Sequence, residues 1–292
     1  MEAAANRSAA LQAMIDKALG DLPPLPTVVT KVLQITGNVN GNAADLEKYI
    51  SMDQAMSTKM LRVVNSPYFG LSGQVSSISH AVVILGFNQI RNLVLSVGAT
   101  QMFATADPKA QPTYLHLWKH AMATAGAAQA ISRLKRMSTK DAELAFIAGL
   151  LSNVGALFLL KNLTGPYIQL FDRYMGGQGN LHEWENHVFG MTHAQVAFEL
   201  SRAWKLPEEM ALLIGRHEDQ FAGEAIPALY CVHVADRLAH EVVMDVAEPG
   251  VIKNVDPAAW AWLGVKAEEL ELLRGETKIK LQATAELLGD FV

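Results

Sequence analysis

The chain has 292 residues, of which 50% are apolar and 18% charged. This composition excludes a disordered chain, and the length suits one large domain or two packed lobes. Acidic residues exceed basic ones and the formal net charge is −5, whereas proteins that bind nucleic acids through electrostatics usually have a basic excess. We therefore expect no nucleic-acid partner.

Cysteine use and hydropathy indicate a cytoplasmic protein. Cys231 is the single cysteine, which excludes an internal disulfide framework and a thiolate zinc site. The first twenty residues lack the basic and apolar regions of a secretory signal. The longest uncharged stretch, 144–160, is short for a bilayer and contains Ser152 and Asn153, so we interpret it as a core helix and expect no membrane span.

Apolar residues recur at steps of three and four along most of the chain, which predicts helices. Asp53 is the predicted N-cap of one of them. Alternating strand patterns are nearly absent, and Gln74–Ile78 is the single weak candidate. The sequence predicts an all-α fold, whose clearest helices are Ala55–Val64, Ile90–Phe103, Ala142–Leu160, Gln195–Trp204 and Leu229–Leu238.

The predicted domain organisation has three parts. Residues 1–20 form an N-terminal helix and residues 21–240 form the main domain. A polar segment with two prolines at 107–112 divides that domain into lobes of about 21–108 and 113–240. Residues 241–292 are leucine-rich and amphipathic, which indicates a helical extension packed on the second lobe.

Two groups of histidines are candidates for a polar site. His116 and His120 are four residues apart, which places both imidazoles on one face of a helix. Such a pair can hold a metal ion if other ligands join it, but two ordinary helix histidines are the favoured interpretation. His233, Asp236 and His240 share one helical stripe, which suits either a polar pocket or a solvated face.

Two further histidines are predicted at helix ends. His193 follows Thr192, a candidate N-cap, and His217 closes a helix that begins after Pro207. A histidine at a helix C-terminus needs no functional explanation, because the helix dipole favours its cation. We keep both as candidates for the polar pocket. The segment 182–187 places its two histidines on different faces of a helix and is discarded as a metal motif.

A series of short segments resembles one family of bacterial signalling domains. No single segment is specific, but their order and spacing over about residues 20–240 are similar to those of HDOD domains. The segments are Leu22–Pro26, Ile50–Asp53, Leu61–Ser66, Ser77-Ile78, Ala81, Leu85-Gly86, Ile90–Val94, Ala148–Gly155 and Trp204–Pro207. The resemblance implies a helical HD-like bundle without catalytic activity.

The HD and HD-GYP phosphohydrolases, to which HDOD domains are related, use a His, a His-Asp pair and a distant Asp to hold a cation that activates water. The resemblance places these positions at His120, at Ser152 with Asn153, and at Asp236. Ser152 cannot replace an imidazole, and Asn153 is neutral. We therefore expect a vestigial site with no metal, no cofactor and no enzyme activity.

The resemblance implies a signal-transduction module that binds partner proteins in trans, linked to cyclic-di-GMP or two-component signalling. We expect a groove between the lobes that includes Leu61, Asn65 and Phe69 together with the stripe around His120 and Asp236. Two alternatives remain open. One is a divergent metal-dependent phosphohydrolase acting on a nucleotide or cyclic dinucleotide, and the other is a domain that binds a nucleotide without cleaving it.

Overall fold

A computed structural model describes residues 2–36, 42–66, 69–71, 73–221 and 226–288. Within these ranges helices are the only regular secondary structure, apart from one isolated β-bridge between Glu248 and Val251. The all-α prediction is confirmed. The weak strand candidate at residues 74–78 is irregular backbone up to Ser77, and Ile78 begins a helix.

The first six helices include the short amphipathic helices of the first lobe, whereas the first of them, at residues 2–20, packs against helices of the second lobe. The predicted N-cap is present at Asp53, whose carboxylate accepts a hydrogen bond from the Met56 N–H at 2.9 Å. The apolar face that follows, including Met60 and Val64, is buried in the core. The helices are α1 (Glu2–Gly20), α2 (Thr27–Thr36), α3 (Ala43–Ser51), α4 (Gln54–Asn65), α5 (Ile78–Leu85) and α6 (Phe87–Met102).

The second lobe surrounds one long helix, α7, which packs against α8, α14 and α16. Pro112 lies in the first turn of α7, where a backbone N–H has no intrahelical acceptor, so its missing N–H costs the helix no hydrogen bond. The expected domain boundary at 240 falls inside α14. The helices are α7 (Gln111–Leu134), α8 (Thr139–Leu151), α9 (Val154–Asn162), α10 (Thr164–Met175), α11 (Leu181–Phe189), α12 (His193–Ala203), α13 (Glu208–Arg216), α14 (Pro227–Met244), α15 (Pro257–Leu263) and α16 (Ala267–Leu288).

The single helix expected at 142–160 is wrong, because the chain forms α8 and α9 with a break at Ser152 and Asn153. The Ser152 hydroxyl donates to the Gly149 carbonyl at 2.9 Å, a local bond that competes with helix continuation. Apolar periodicity continues on both sides and hides the break. Residues 139–162 are apolar and long enough to span a bilayer, but 94% of the most apolar window is buried inside the protein.

Two glycines let this broken segment approach its neighbours closely. A Cβ atom at Gly149 would lie 3.0 Å from the Ala125 backbone nitrogen in α7. A Cβ atom at Gly155 would lie 2.0 Å from the His193 carbonyl oxygen and 2.7 Å from the Ala197 nitrogen in α12. The break is therefore fixed between α7 and the N-terminus of α12, which both contribute to the site described next.

Candidate functional site

A cavity of about 410 Å³ opens in the second lobe. Its walls come from five helices, from the α8–α9 break, and from the loops before α11, after α13 and after α14. The five helices are α7, α10, α11, α12 and α14. The polar side chains that line it are His116, His120, Asn153, Tyr174, Asn180, Glu183, His193, Glu218, Asp236, Arg237, His240, Glu241, Lys253 and Asn254.

The structure separates the first-lobe groove candidates from this cavity. Leu61, Asn65 and Phe69 are absent from its lining. The Asn65 side chain instead holds the loop before α5, because it accepts the Val75 N–H at 2.6 Å and donates to the Val75 carbonyl at 2.7 Å. Leu61 and Phe69 pack against the apolar core. These three residues therefore do not line this cavity, and their part in a partner groove stays a prediction.

His116 and His120 face the cavity from α7 as neutral imidazoles. Burial lowers the pKa of both to about 4, because removal from water disfavours the charged ring. The His120 Nδ1 accepts a hydrogen bond from the Asn153 amide at 3.1 Å. It also lies 3.8 Å from Asp236 Oδ1.

The residues at the HD-pair positions donate hydrogen bonds to neighbouring groups of the protein. Ser152 is completely buried, and its hydroxyl is directed to the Gly149 carbonyl. Asn153 is 4% exposed and donates to the Leu117 carbonyl at 2.8 Å as well as to His120. Ser152 and Asn153 therefore link the break to α7, and the Asn153 amide occupies the Nδ1 lone pair of His120.

His193 lies at the first position of α12, where helix geometry leaves its backbone N–H without an intrahelical acceptor. Glu185 of α11 accepts both this N–H and the His193 Nδ1–H, each at 2.7 Å. The other Glu185 oxygen accepts from the Tyr167 hydroxyl at 2.9 Å. Burial alone would lower the pKa of His193, but Glu185 and Glu218 outweigh it and raise it to about 9.

His217 and His233 play different parts, although both are buried. The His217 Nδ1 donates to the Ile214 carbonyl at 2.7 Å, which leaves Nε2 without a hydrogen-bond partner among the described residues. The His233 Nδ1 donates to the His217 carbonyl at 2.8 Å, and its Nε2 accepts the Asp256 N–H at 3.0 Å. Both ring nitrogens of His233, which was expected in the pocket, are therefore hydrogen-bonded to backbone groups, and the residue does not line the cavity.

Asp236 and Glu218 meet beside one partly buried cation, the Arg237 guanidinium. The Arg237 Nη1 lies 3.3 Å from Glu218 Oε1 and 3.9 Å from Asp236 Oδ2. Burial would raise the pKa of Glu218, but His193 and Arg237 reverse this and hold it below its usual range. The pKa of Asp236 is lowered for a similar reason, against its burial, by His120, His217 and Arg237.

His240 completes the stripe of α14 at the mouth of the cavity. The Tyr174 hydroxyl donates to its Nδ1 at 2.6 Å, and burial lowers the pKa of the ring. Two interpretations were open for the stripe, a polar pocket or a solvated face. Asp236 and His240 line the cavity, whereas His233 is buried outside it and is not solvated.

Glu185 and Arg237 were missed from the sequence. Glu185 lies in the segment discarded as a metal motif, and its signal is its position four residues from both Leu181 and Phe189, on the buried face of α11. Arg237 directly follows Asp236, but nothing in its pattern separates a buried arginine from a solvated one.

The helical fold and the altered His-Asp position define a protein of the HD-like class. Residues 22–220 match the HDOD domain family, and the chain belongs to this family. A relative from Treponema pallidum (strain Nichols), an uncharacterised protein, is 27% identical over 212 residues. That match spans 72% of this chain and 40% of the relative, so the chain corresponds to well under two thirds of the relative's length.

Solved structures share the fold at low sequence identity. An HDOD domain protein of unknown function from Geobacter sulfurreducens has a TM-score of 0.67 and 19% identity, with 97% of each chain covered. A Marinobacter aquaeolei VT8 protein provisionally named a signal transduction protein has a TM-score of 0.69 and 20% identity. The match covers 97% of this chain and 66% of the Marinobacter chain. A Shewanella amazonensis SB2B protein provisionally named a phosphohydrolase has a TM-score of 0.68 and 19% identity. The match covers 93% of this chain and 98% of the Shewanella chain.

Proposed function

We propose that the chain is a cytoplasmic bacterial signalling module that acts by binding other signalling proteins and does not hydrolyse phosphodiesters. Membership of the HDOD family supports this proposal, as does the shared fold of a protein provisionally named for signal transduction. The partners are signalling proteins supplied in trans, of the kinds found in cyclic-di-GMP or two-component pathways.

The observation behind the non-hydrolytic assignment is the hydrogen bond from the Asn153 amide to His120 Nδ1 at 3.1 Å. HD-type hydrolysis needs an imidazole and a carboxylate at the two pair positions, because they anchor the cation that activates water. Ser152 directs its hydroxyl to a helix carbonyl instead.

The test measures turnover directly. Purified protein is incubated with cyclic di-GMP, and separately with bis(p-nitrophenyl) phosphate, in Mn²⁺, Fe²⁺ or Mg²⁺. We expect no turnover above that of the Asp236→Asn variant. Hydrolysis by the wild type that is lost in both His120→Ala and Asp236→Asn would overturn the assignment and select the phosphohydrolase alternative.

Two further outcomes decide how the module works. Cross-linking in the native bacterium, followed by mass spectrometry, should identify histidine kinases, response regulators or cyclic-di-GMP enzymes, and a repeated absence of them would contradict the partner assignment. A raised Tm with cyclic di-GMP and no turnover would favour the nucleotide-binding alternative, because a ligand that binds the native state raises apparent stability. The cavity volume of about 410 Å³ is within the range of small-molecule sites.

A further inference from the structure

We propose that His193, His217, Glu218 and Asp236 form a binding site for a divalent transition-metal ion, separate from the altered HD pair. One nitrogen or oxygen atom from each of His193, His217 and Glu218 lies within 4.8 Å of the others. Asp236 Oδ1 lies 4.0 Å from His217 Nε2, outside that group of three, and would have to move closer to become the fourth ligand. The proposed site shares Asp236 with the altered HD site, but neither Ser152 nor Asn153 takes part in it, and it implies nothing about hydrolysis.

The first argument is that the donor atoms are buried and without hydrogen-bond partners. His217 is fully buried, and both its Nε2 and Glu218 Oε2 lack a hydrogen-bond partner among the residues the structure describes. An unpaired polar atom in the interior costs about 1–3 kcal/mol, and each such atom in a native protein requires an explanation, such as an ion. A metal ion between these atoms provides it.

The second argument is that both imidazoles are already oriented for ligation. A metal-binding histidine usually donates its second ring N–H to a carboxylate or a backbone carbonyl, which fixes the tautomer. The Nδ1–H of His193 donates to Glu185, and that of His217 donates to the Ile214 carbonyl. Both Nε2 atoms are thereby directed to the same space, and His193 Nε2 lies 3.6 Å from Glu218 Oε2.

The third argument is charge. Glu185, Glu218 and Asp236 are three carboxylates, and Arg237 together with a proton on His193 balances two of them. The remaining negative charge in the interior is costly, and a divalent cation that replaces the His193 proton neutralises it. Two imidazoles with carboxylate oxygens suit Zn²⁺ and other first-row transition ions, whereas Mg²⁺ prefers oxygen ligands and retains its water.

The test uses the full chain, stripped of metal, with Zn²⁺ followed by titration calorimetry and Co²⁺ followed by visible absorption. We expect one Zn²⁺ per chain, Co²⁺ bands typical of four- or five-coordinate geometry, and no comparable binding of Mg²⁺. His217→Gln and Glu218→Gln keep the side-chain size within the fold and should each weaken Zn²⁺ binding at least about tenfold. His187→Gln is the matched control, since this histidine is exposed on α11 and should leave binding unchanged.

Circular dichroism establishes that each variant is folded before its affinity is interpreted. The absence of Zn²⁺ binding in the wild type would overturn the proposal, as would an affinity that is equal in wild type, His217→Gln and Glu218→Gln. The outcomes are separable from those of the proposed function. Metal binding without hydrolysis supports both inferences, and metal-dependent hydrolysis refutes only the non-hydrolytic one. A lack of metal binding refutes only the metal site.

Discussion

At the scale of single residues, His116 shows how the cavity restricts protonation. It lies partly buried on α7, edge-on to the Phe171 ring at a centroid distance of 5.3 Å. Burial, together with the neighbouring His120, His240 and Lys119, lowers its pKa from 6.5 to about 4. The folded protein thus holds this ring neutral at pH values at which an unfolded chain protonates it.

This difference predicts acid destabilisation with a defined pH range. The contribution of His116 to stability is fully present above pH 6.5 and is lost as the pH falls towards 4, because the unfolded chain gains the proton first. Urea unfolding between pH 7.5 and 4 should show that His116→Gln loses less stability than wild type, by up to about 3 kcal/mol. His80→Gln, at an exposed position, should follow the wild type, and an identical pH profile for all three would contradict the prediction.

At the scale of helices, the close packing of α9 on α12 depends on Gly155. A methyl group there would lie 2.0 Å from the His193 carbonyl oxygen, so the two backbones must separate. Gly155→Ala should lower the free energy of unfolding by about 1–3 kcal/mol, the usual cost of overpacking a core. The same separation would displace His193 from Glu185, so Zn²⁺ affinity should fall as well.

A glycine in open surroundings provides the control for this substitution. Gly275 lies exposed within α16, and nothing comes within 4 Å of the Cβ position. Gly275→Ala should therefore stabilise the helix by about 0.5–1 kcal/mol, as alanine does in an exposed helix interior. Equal effects at Gly155 and Gly275 in chemical denaturation would show that the contact with α12 does not constrain the fold.

Local signals explain which elements were predictable and which were not. The N-cap at Asp53 and the helix after it follow from residue type and periodicity alone. The break at Ser152 does not, because apolar residues surround it on both sides and the determining bond, to the Gly149 carbonyl, is local and polar. The resemblance to HDOD domains implied that His120 and Asp236 belong to one site, and His120 Nδ1 lies 3.8 Å from Asp236 Oδ1. The assembly of Glu185, His193 and Glu218 depends on how α11, α12 and α13 pack, which spacing along the chain does not encode.

At the scale of the whole molecule, the cavity depends on chain beyond the family match. That match ends at 220, whereas Asp236 and Glu241 belong to α14. This helix is held by α16 through Arg274, which lies 2.8 Å from Glu241 Oε2 and also donates to the Val251 carbonyl. The other Glu241 oxygen accepts the Lys253 N–H at 2.9 Å. The region expected as an extension is therefore an integral support of the cavity.

Removing this arginine should leave Glu241 as an unpaired charge, since its side chain is 2% exposed. We expect Arg274→Met to lower the free energy of unfolding by about 3–5 kcal/mol, because breaking one side of a buried ion pair costs more than the pair itself contributes. Adding Glu241→Gln removes the charge and should recover part of the loss, which a double-mutant cycle measures. Lys278 lies on α16 as Arg274 does, and Lys278→Met removes its exposed ion pair with Asp245 at the end of α14. This substitution should have little effect on stability. If Arg274→Met were no more destabilising than Lys278→Met, α16 would be a surface addition and α14 would keep its position without it.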